Sequence, residues 1–310
     1  MKRKGVWNMK RWFSFIAVII LLSLSVSTSV SASTSINEKL GVPIVVYGET
    51  LTDAQQKEVR NQLEVEDRDS VDEYSVNGQD IANYIGGNPN SRMYSSVKIT
   101  PEEEGTGLTV NLVTPDNITQ VTKEMYKNAL LTAGVSDATV DVASPVKVSG
   151  HSALTGIYKA YDEKGVKLDS DRMKVASEEL DVATKLAEES GVSKEKVSQL
   201  ISQIKKEIAE QNPATREEVE RIVQNQLDSL NINLNPEDVE LLTNLFDQIR
   251  SLNINFDELQ KQLEDITASA KELLNDEGFW NSVANFFEKI LNAISDLISS
   301  LINGLRSIFA

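Results

Sequence analysis

The change in hydrophobic periodicity at Asp171 constrains the fold more than any other feature of this chain. From there onward, apolar residues recur with the 3.6-residue period of an α-helix. Helix start signals divide the region, because Thr215 and Glu218 form a capping box and Asn235 precedes a proline at the first helical position. Residues 171–275 are therefore predicted to form an all-α helical bundle.

A six-residue motif occurs twice within this helical region. The stretch Ser229 to Leu234 recurs as Ser251 to Phe256, 22 positions later in the chain. Both copies have a capping signal: Asn235 follows the first copy, and Asn255 lies within the second. We interpret the motif as a helix–loop–helix element used twice, which is too few copies for a solenoid.

The preceding segment, residues 36–165, has the mixed pattern of an α/β sandwich. A short apolar strand at 44–47 is followed by a helix whose capping box starts at Thr52. The dipeptide Asn77-Gly78 is typical of a turn. Alternating apolar residues predict strands over 93–100 and 107–113.

Turn and capping signals complete this segment. Gly105-Thr106-Gly107 fits the turn of a β-hairpin between the two strands. Asn117 is a candidate cap for a helix that ends at Gly134, and valines over 140–148 indicate another extended stretch. A helix from about Ser152 closes the segment. The predicted fold class is α+β: an N-terminal mixed α/β sandwich, then an all-α helical bundle and a C-terminal amphipathic helix.

The first 32 residues have the pattern of a secretion signal. An apolar run over 12–24 leads to small residues ending at Ala32, which predicts cleavage after that residue. The alternative is an uncleaved N-terminal anchor; both readings place residues 33–310 outside the cytoplasm, in a secreted or envelope-associated protein. The basic residues that precede the run are Lys2, Arg3, Lys4, Lys10 and Arg11.

Composition excludes several classes of function. The chain has no cysteine, which removes disulfides, thiol catalysis and thiolate metal sites. Its formal net charge is −16, and without the five basic residues of the signal 26 basic residues remain against 47 acidic ones. Such an acidic chain repels phosphates, so no nucleic-acid partner is expected.

Residues 279–310 are predicted to form an amphipathic helix with a broad apolar face. Leaving that face in water would be costly, because each large side chain contributes roughly 1.5–3 kcal/mol when buried. It is expected to contact the bundle, an unknown protein or a second copy of the chain, or a membrane interface. We name it the C-terminal stripe, which consists of Phe279, Trp280, Val283, Phe286, Phe287, Ile290, Ile294, Leu297, Leu301, Leu305 and Ile308.

Candidate chemistry is sparse. His151 is the single histidine, and imidazole titrates near neutrality, but it lies at a strand-to-helix turn where a surface or helix-start role is favoured. Ser149 and Ser152 lie close to it, which leaves a serine–histidine dyad open. The acidic run Glu102 to Glu104 is interpreted as a solvated loop, as are Asp162-Glu163 and Asp169-Ser170-Asp171. No catalytic residue, metal ligand or cofactor is predicted.

Several short sequence motifs occur in a characteristic order between residues 117 and 160. They are Asn117 to Tyr126, Ala129-Leu130, Thr132 to Val135, Ser144-Pro145, Val148 to Gly150 and Ala153 to Ala160. These motifs resemble the YpuA-like family, exported proteins of Bacillus and related Gram-positive bacteria classed as a domain of unknown function. The resemblance implies an extracytoplasmic protein and provides no catalytic residues.

The expected function is that of an exported, non-enzymatic cell-envelope protein that acts by binding or assembly. One alternative is an extracytoplasmic hydrolase of wall polymer or peptide, using carboxylates or His151. Another is a membrane-surface protein that inserts its C-terminal helix.

Overall fold

A computed structural model of the chain describes residues 40–252 and the single residues 254, 255, 259, 262 and 263. The described residues form a mixed sheet and a set of helices, which confirms the α+β class. The strands are β1 (Ile44–Gly48), β2 (Asp72–Val76), β3 (Ser96–Pro101), β4 (Thr109–Leu112) and β5 (Ala138–Ala143). The helices are α1 (Asp53–Gln62), α2 (Gly78–Ile85), α3 (Lys123–Ala133), α4 (Ser152–Glu163), α5 (Ser170–Glu189), α6 (Lys194–Gln211), α7 (Arg216–Ser229) and α8 (Pro236–Ser251), with a 3₁₀ turn at Arg68–Ser70.

The sheet has the strand order β2-β1-β3-β5-β4. Two parallel pairs, β1 with β2 and β4 with β5, form its two sides, and each pair is connected through one helix, α1 or α3. The central strand β3 is antiparallel to both of its neighbours, β1 and β5. Parallel neighbours need such crossover connections because a tight turn reverses the chain direction.

The predicted hairpin between β3 and β4 is wrong. Strand β5 lies between them and hydrogen-bonds to both. The loop at 105–107 is closed by Asp137, whose Oδ1 accepts hydrogen bonds from the backbone N–H groups of Gly105 (3.0 Å) and Gly107 (2.8 Å). Alternation places side chains on two faces of a strand, but it does not specify which strand becomes the neighbour.

Two further local predictions are wrong for a similar reason. Asn77-Gly78 is a helix start and not a turn, because the side chains of Asn77 and Asp80 form a capping box for α2. Helix α3 begins after Thr122 and not after Asn117. The residues before it run extended, with Ile118 bridged to Val148. A capping side chain serves turns and loops as well as helices, so its presence does not fix the start of a helix.

Other start and stop signals are confirmed. Thr52 caps α1 in a capping box, Gly134 ends α3 in the left-handed conformation, and Thr215 with Glu218 forms the capping box of α7. Asn235 caps α8 with a proline at the first position. Thus the first copy of the repeated motif joins α7 to α8; two of the six residues of the second copy, 253 and 256, lie outside the described residues.

Both faces of the sheet are covered by helices. On one face Val46, Val97 and Val140 belong to a large core that includes α3, α4 and the bundle helices. On the other face Val45 and Tyr47 pack in a smaller cluster with side chains of α1. The large core is continuous from the sheet into the bundle, because α3 packs on α5 and α6 as well as on β4. The boundaries of the segments 36–165 and 171–275 stay predictions.

The predicted signal (1–32) and the C-terminal stripe lie outside the described residues. Within the part of the chain that the structure describes, no helix has both the length and the apolar character that crossing a membrane requires.

Candidate functional site

His151 lies at the N-terminal end of α4, next to a position where only glycine fits without strain. Gly150 has φ +113°, and a Cβ there would lie 2.7 Å from the Tyr126 hydroxyl and 2.9 Å from Ile118 Cγ2. The Tyr126 hydroxyl donates to the Gly150 carbonyl. His151 itself makes no side-chain cap for α4. The imidazole is therefore held at a fixed turn and is free to contact another element.

The element that it contacts is α5. Nε2 of His151 lies 3.0 Å from the Thr184 hydroxyl and 3.3 Å from Asp181 Oδ1, while Nδ1 lies 3.1 Å from the Ser149 hydroxyl. The imidazole is 28% exposed and the Asp181 side chain 72% exposed, so solvent reaches the group. The structure thus forms the dyad that the sequence left open, with Ser149 and not with Ser152, whose hydroxyl donates to Ser95.

The hydrogen bonds of Thr184 define the tautomer of the imidazole. The Thr184 hydroxyl lies 3.0 Å from the main-chain oxygens of Leu180 and of Asp181, which take its proton. Its oxygen is left to accept from His151, so Nε2 carries hydrogen, as the Asp181 carboxylate also requires. Nδ1 then bears the lone pair, and the Ser149 hydroxyl donates to it.

Burial lowers the pKa of His151 below its ordinary value of 6.5, and the carboxylates of Asp181 and Glu188 oppose this effect. The neutral imidazole consequently predominates at pH 7, which is the form a general base requires. Asp181 and Thr184 were missed by sequence reasoning. They lie some thirty residues from His151, and only the packing of α5 beside the turn brings them to it.

Three of the other acidic residues singled out in the sequence have structural contacts, whereas Glu103 and Glu104 are exposed. Glu102 accepts a hydrogen bond from Thr139 at 2.8 Å, Asp162 accepts one from Tyr84 at 2.8 Å, and Asp169 caps α5. Among the described residues no three His, Asp or Glu side chains are grouped to hold a metal ion.

Sequence reasoning also missed a buried polar cluster between α3, α5 and α6. Lys205 and Glu179 are 0% and 1% exposed, and their Nζ and Oε1 atoms lie 2.6 Å apart. Lys205 also donates to the Asn128 carbonyl (2.7 Å), and the Thr132 hydroxyl donates to Glu179 Oε2 (2.6 Å). One feature of the sequence could have indicated this cluster. Lys205 lies four residues after Ile201, so its charged side chain is on the apolar face of α6.

An open groove of about 1020 Å³ lies beside α1. Its arginines, Arg60 and Arg68, are both paired with Glu73, at 3.0 and 2.6 Å. Basic and acidic residues are balanced in its lining, which gives the groove no preference for the charge of a ligand. The lining consists of Asp53, Gln56, Lys57, Arg60, Asn61, Glu64, Val65, Glu66 and Arg68.

Comparison with known proteins gives two matches and no activity. No solved structure matches the chain. The chain is 32% identical over 296 residues to the "Uncharacterized protein YpuA" of Bacillus subtilis (strain 168), and the alignment covers 92% of this chain and 98% of that protein. Residues 47–266 match the family model described as "Protein of unknown function (DUF1002)". The resemblance inferred from the motifs is therefore confirmed, and the chain belongs to the DUF1002 family.

Proposed function

We propose that this protein is exported and works at the cell envelope by binding or assembly, through its C-terminal stripe. The observation that carries the proposal is the stripe itself, eleven large apolar side chains within 279–308 that share one face of the predicted helix. This role requires no catalysis by the protein.

The described residues differ from the C-terminal stripe, because few of their large apolar side chains are exposed. Among the described residues, the large hydrophobic side chains that are exposed are Val42 and Val113, at 44% and 36%. Most of the other large apolar side chains in that part belong to the two core clusters or pack against them. The described residues therefore expose few large apolar side chains of their own, and the apolar character of the C-terminal stripe is what favours contact with another molecule.

Charge favours a protein contact over a lipid contact. The chain has a formal net charge of −16. Anionic headgroups repel such a surface. A second copy of the chain carries the same charge, so self-association must rest on the apolar faces of the two helices, whereas another envelope protein need not carry that charge. A second copy of the chain or another envelope protein is therefore the favoured partner, and insertion into a membrane interface is the competing outcome.

Export is tested by producing the full chain in a Gram-positive host. We expect protein outside the cytoplasm whose intact mass corresponds to a chain that starts at Ser33, because the residues before it meet the requirements of a signal peptidase. Ala32→Phe should block cleavage, while the matched change Ala32→Gly should permit it. Cytoplasmic protein that keeps Met1 in all three cases would contradict the proposal.

The contact role is tested with paired aspartate substitutions in residues 33–310. Ile294→Asp and Leu301→Asp place charge in the centre of the stripe, and we expect them to reduce the molar mass in light scattering to that of a monomer. Asn292→Asp and Asn303→Asp, on the polar face, carry the same charge and should leave the mass unchanged.

Liposome flotation separates the competing outcomes. Binding to neutral vesicles that is lost in the Ile294→Asp variant would favour membrane insertion instead of a protein contact. The proposal would fail if the parent is monomeric, does not bind vesicles and loses stability in both stripe variants. Those results would show that the stripe packs on its own bundle.

A further inference from the structure

We propose that Ser149 is a reactive nucleophile, activated by His151, that takes the acyl group from an exposed ester or amide and transfers it to water. The inference goes beyond the binding role and does not depend on it. It rests on three side chains, of Ser149, His151 and Asp181, which form a hydrogen-bonded chain at the surface.

In the hydrogen bonds that link Ser149, His151 and Asp181, the hydrogens are placed so that the imidazole can accept the serine proton. Nδ1 of His151 accepts from the Ser149 hydroxyl at 3.1 Å, and Nε2–H points to the Asp181 carboxylate at 3.3 Å. An imidazole placed between a hydroxyl and a carboxylate can take the hydroxyl proton while the carboxylate stabilises the resulting cation. Here Nδ1 takes the proton and Nε2 faces the acid. Either ring nitrogen can act as the base.

The backbone around Ser149 is fixed, as a nucleophile requires. Its carbonyl accepts hydrogen bonds from the N–H groups of Gln120 and Val121, both at 3.2 Å. The next carbonyl, of Gly150, accepts from the Tyr126 hydroxyl. Helix α4 starts just after this turn, so its N-terminal dipole favours negative charge that develops near Ser149. Preorganisation of this kind lowers the cost of reaching the reactive geometry.

The reaction is balanced without any added reagent except water. Ser149 Oγ forms a bond to the carbonyl carbon, its proton passes to Nδ1, and the C=O π electrons move onto oxygen. When the tetrahedral intermediate collapses, the leaving alcohol or amine takes the proton from Nδ1. Water then attacks the acyl-serine by the same route, which releases the acid and restores the serine.

The local charge indicates the class of substrate. Asp181 and Glu188, both on α5, are the carboxylates that act on the imidazole. They disfavour an anionic acyl group, because like charges repel at this range. An uncharged or cationic acyl group is therefore the expected substrate.

The test uses an uncharged alkyl fluorophosphonate, which phosphonylates activated serines, on the full chain. We expect mass spectrometry of proteolytic fragments to place the label on Ser149. His151→Gln removes the base and should slow labelling about 100-fold or more, within the range usual for a general base. Ser149→Ala should abolish the labelling, because the nucleophile is absent. The matched control Ser152→Ala, three residues along the same turn, should label at the parent rate.

Asp181 is a positioning residue, and its test is a pH profile. Its carboxylate raises the pKa of His151, so Asp181→Asn should move the midpoint of labelling to lower pH as well as slow the reaction. A merely structural change would lower the rate at every pH alike. The proposal is overturned if the native parent carries no label on Ser149, or if His151→Gln labels there as fast as the parent. Circular dichroism confirms that each variant is folded.

Discussion

Replacing Glu179 with glutamine is expected to lower the free energy of unfolding by about 3–5 kcal/mol, the usual cost of removing one partner from a buried ion pair. Lys205 is 0% exposed and has its carboxylate partner at 2.6 Å. Without that carboxylate the ammonium remains buried beside a neutral amide. The Thr132 hydroxyl, which donates to Glu179 Oε2 at 2.6 Å, also loses a charged acceptor. Urea unfolding followed by circular dichroism measures the change.

The pH dependence of the variant gives a second readout. Burial lowers the pKa of Lys205 from its ordinary value of 10.5, and Glu179 opposes that effect. Without the carboxylate the pKa falls further, so the unfolded chain binds more protons than the folded one between the folded pKa and 10.5. Stability of Glu179→Gln should therefore rise with pH through that window.

Two controls separate the buried charge from a general effect of the substitution. Glu220→Gln removes the same charge from a surface pair with Arg216, 3.8 Å apart, where the side chains are 39% and 56% exposed. Its cost should be only about 0.3–0.5 kcal/mol. Adding Lys205→Met to Glu179→Gln should recover part of the loss, because the orphaned charge is gone. A loss of less than about 1 kcal/mol in Glu179→Gln would contradict the expectation.

Gly48→Ala is expected to cost about 3 kcal/mol, at the upper end of the range for overpacking. A Cβ on Gly48 would lie 2.3 Å from the Met93 carbonyl oxygen and 3.0 Å from that of Ser95. Both are backbone atoms of the segment 93–95. Hydrogen bonds hold this segment in place, because Thr50 N donates to Met93 O and Met93 N donates to the Thr50 hydroxyl. The end of β1 must therefore shift. Thermal and urea unfolding measure the loss.

Gly156→Ala is the matched control, at a glycine of α4 whose Cβ would face side chains of the sheet. Its Cβ would meet Val97 Cγ2 at 3.4 Å, an ordinary van der Waals contact. Gly156 lies inside α4, where alanine is favoured over glycine by roughly 0.5–1 kcal/mol. Gly156→Ala should therefore be neutral or stabilising. Equal losses in the two variants would show that crowding at Gly48 is not the cause.

The helical half of the molecule was the more predictable part. Thr215 with Glu218 and Asn235 with Pro236 mark helix starts that the structure reproduces. A cap and a 3.6-residue period act within one or two turns, so the signal is contained in the local sequence. The family resemblance was likewise readable from fixed motifs between 117 and 160.

The sheet shows where local reasoning ends. Strand β2 was missed because its residues, Asp72–Val76, are mostly polar on an edge and carry no alternation of apolar residues. The hairpin prediction failed because β5, more than twenty residues further along the chain, enters between β3 and β4. Strand pairing is a choice among distant partners, which the pattern of one strand does not contain.

The sequence by itself determined the α+β class, the helix starts of the bundle, the family and the absence of thiol chemistry. Only the tertiary structure decided the strand order, the partner of Lys205 and the meeting of Ser149, His151 and Asp181. The physical reason is range. Periodicity and capping arise between neighbours in the chain, whereas contacts between α5 and the turn at 149–151 exist only after the core has packed.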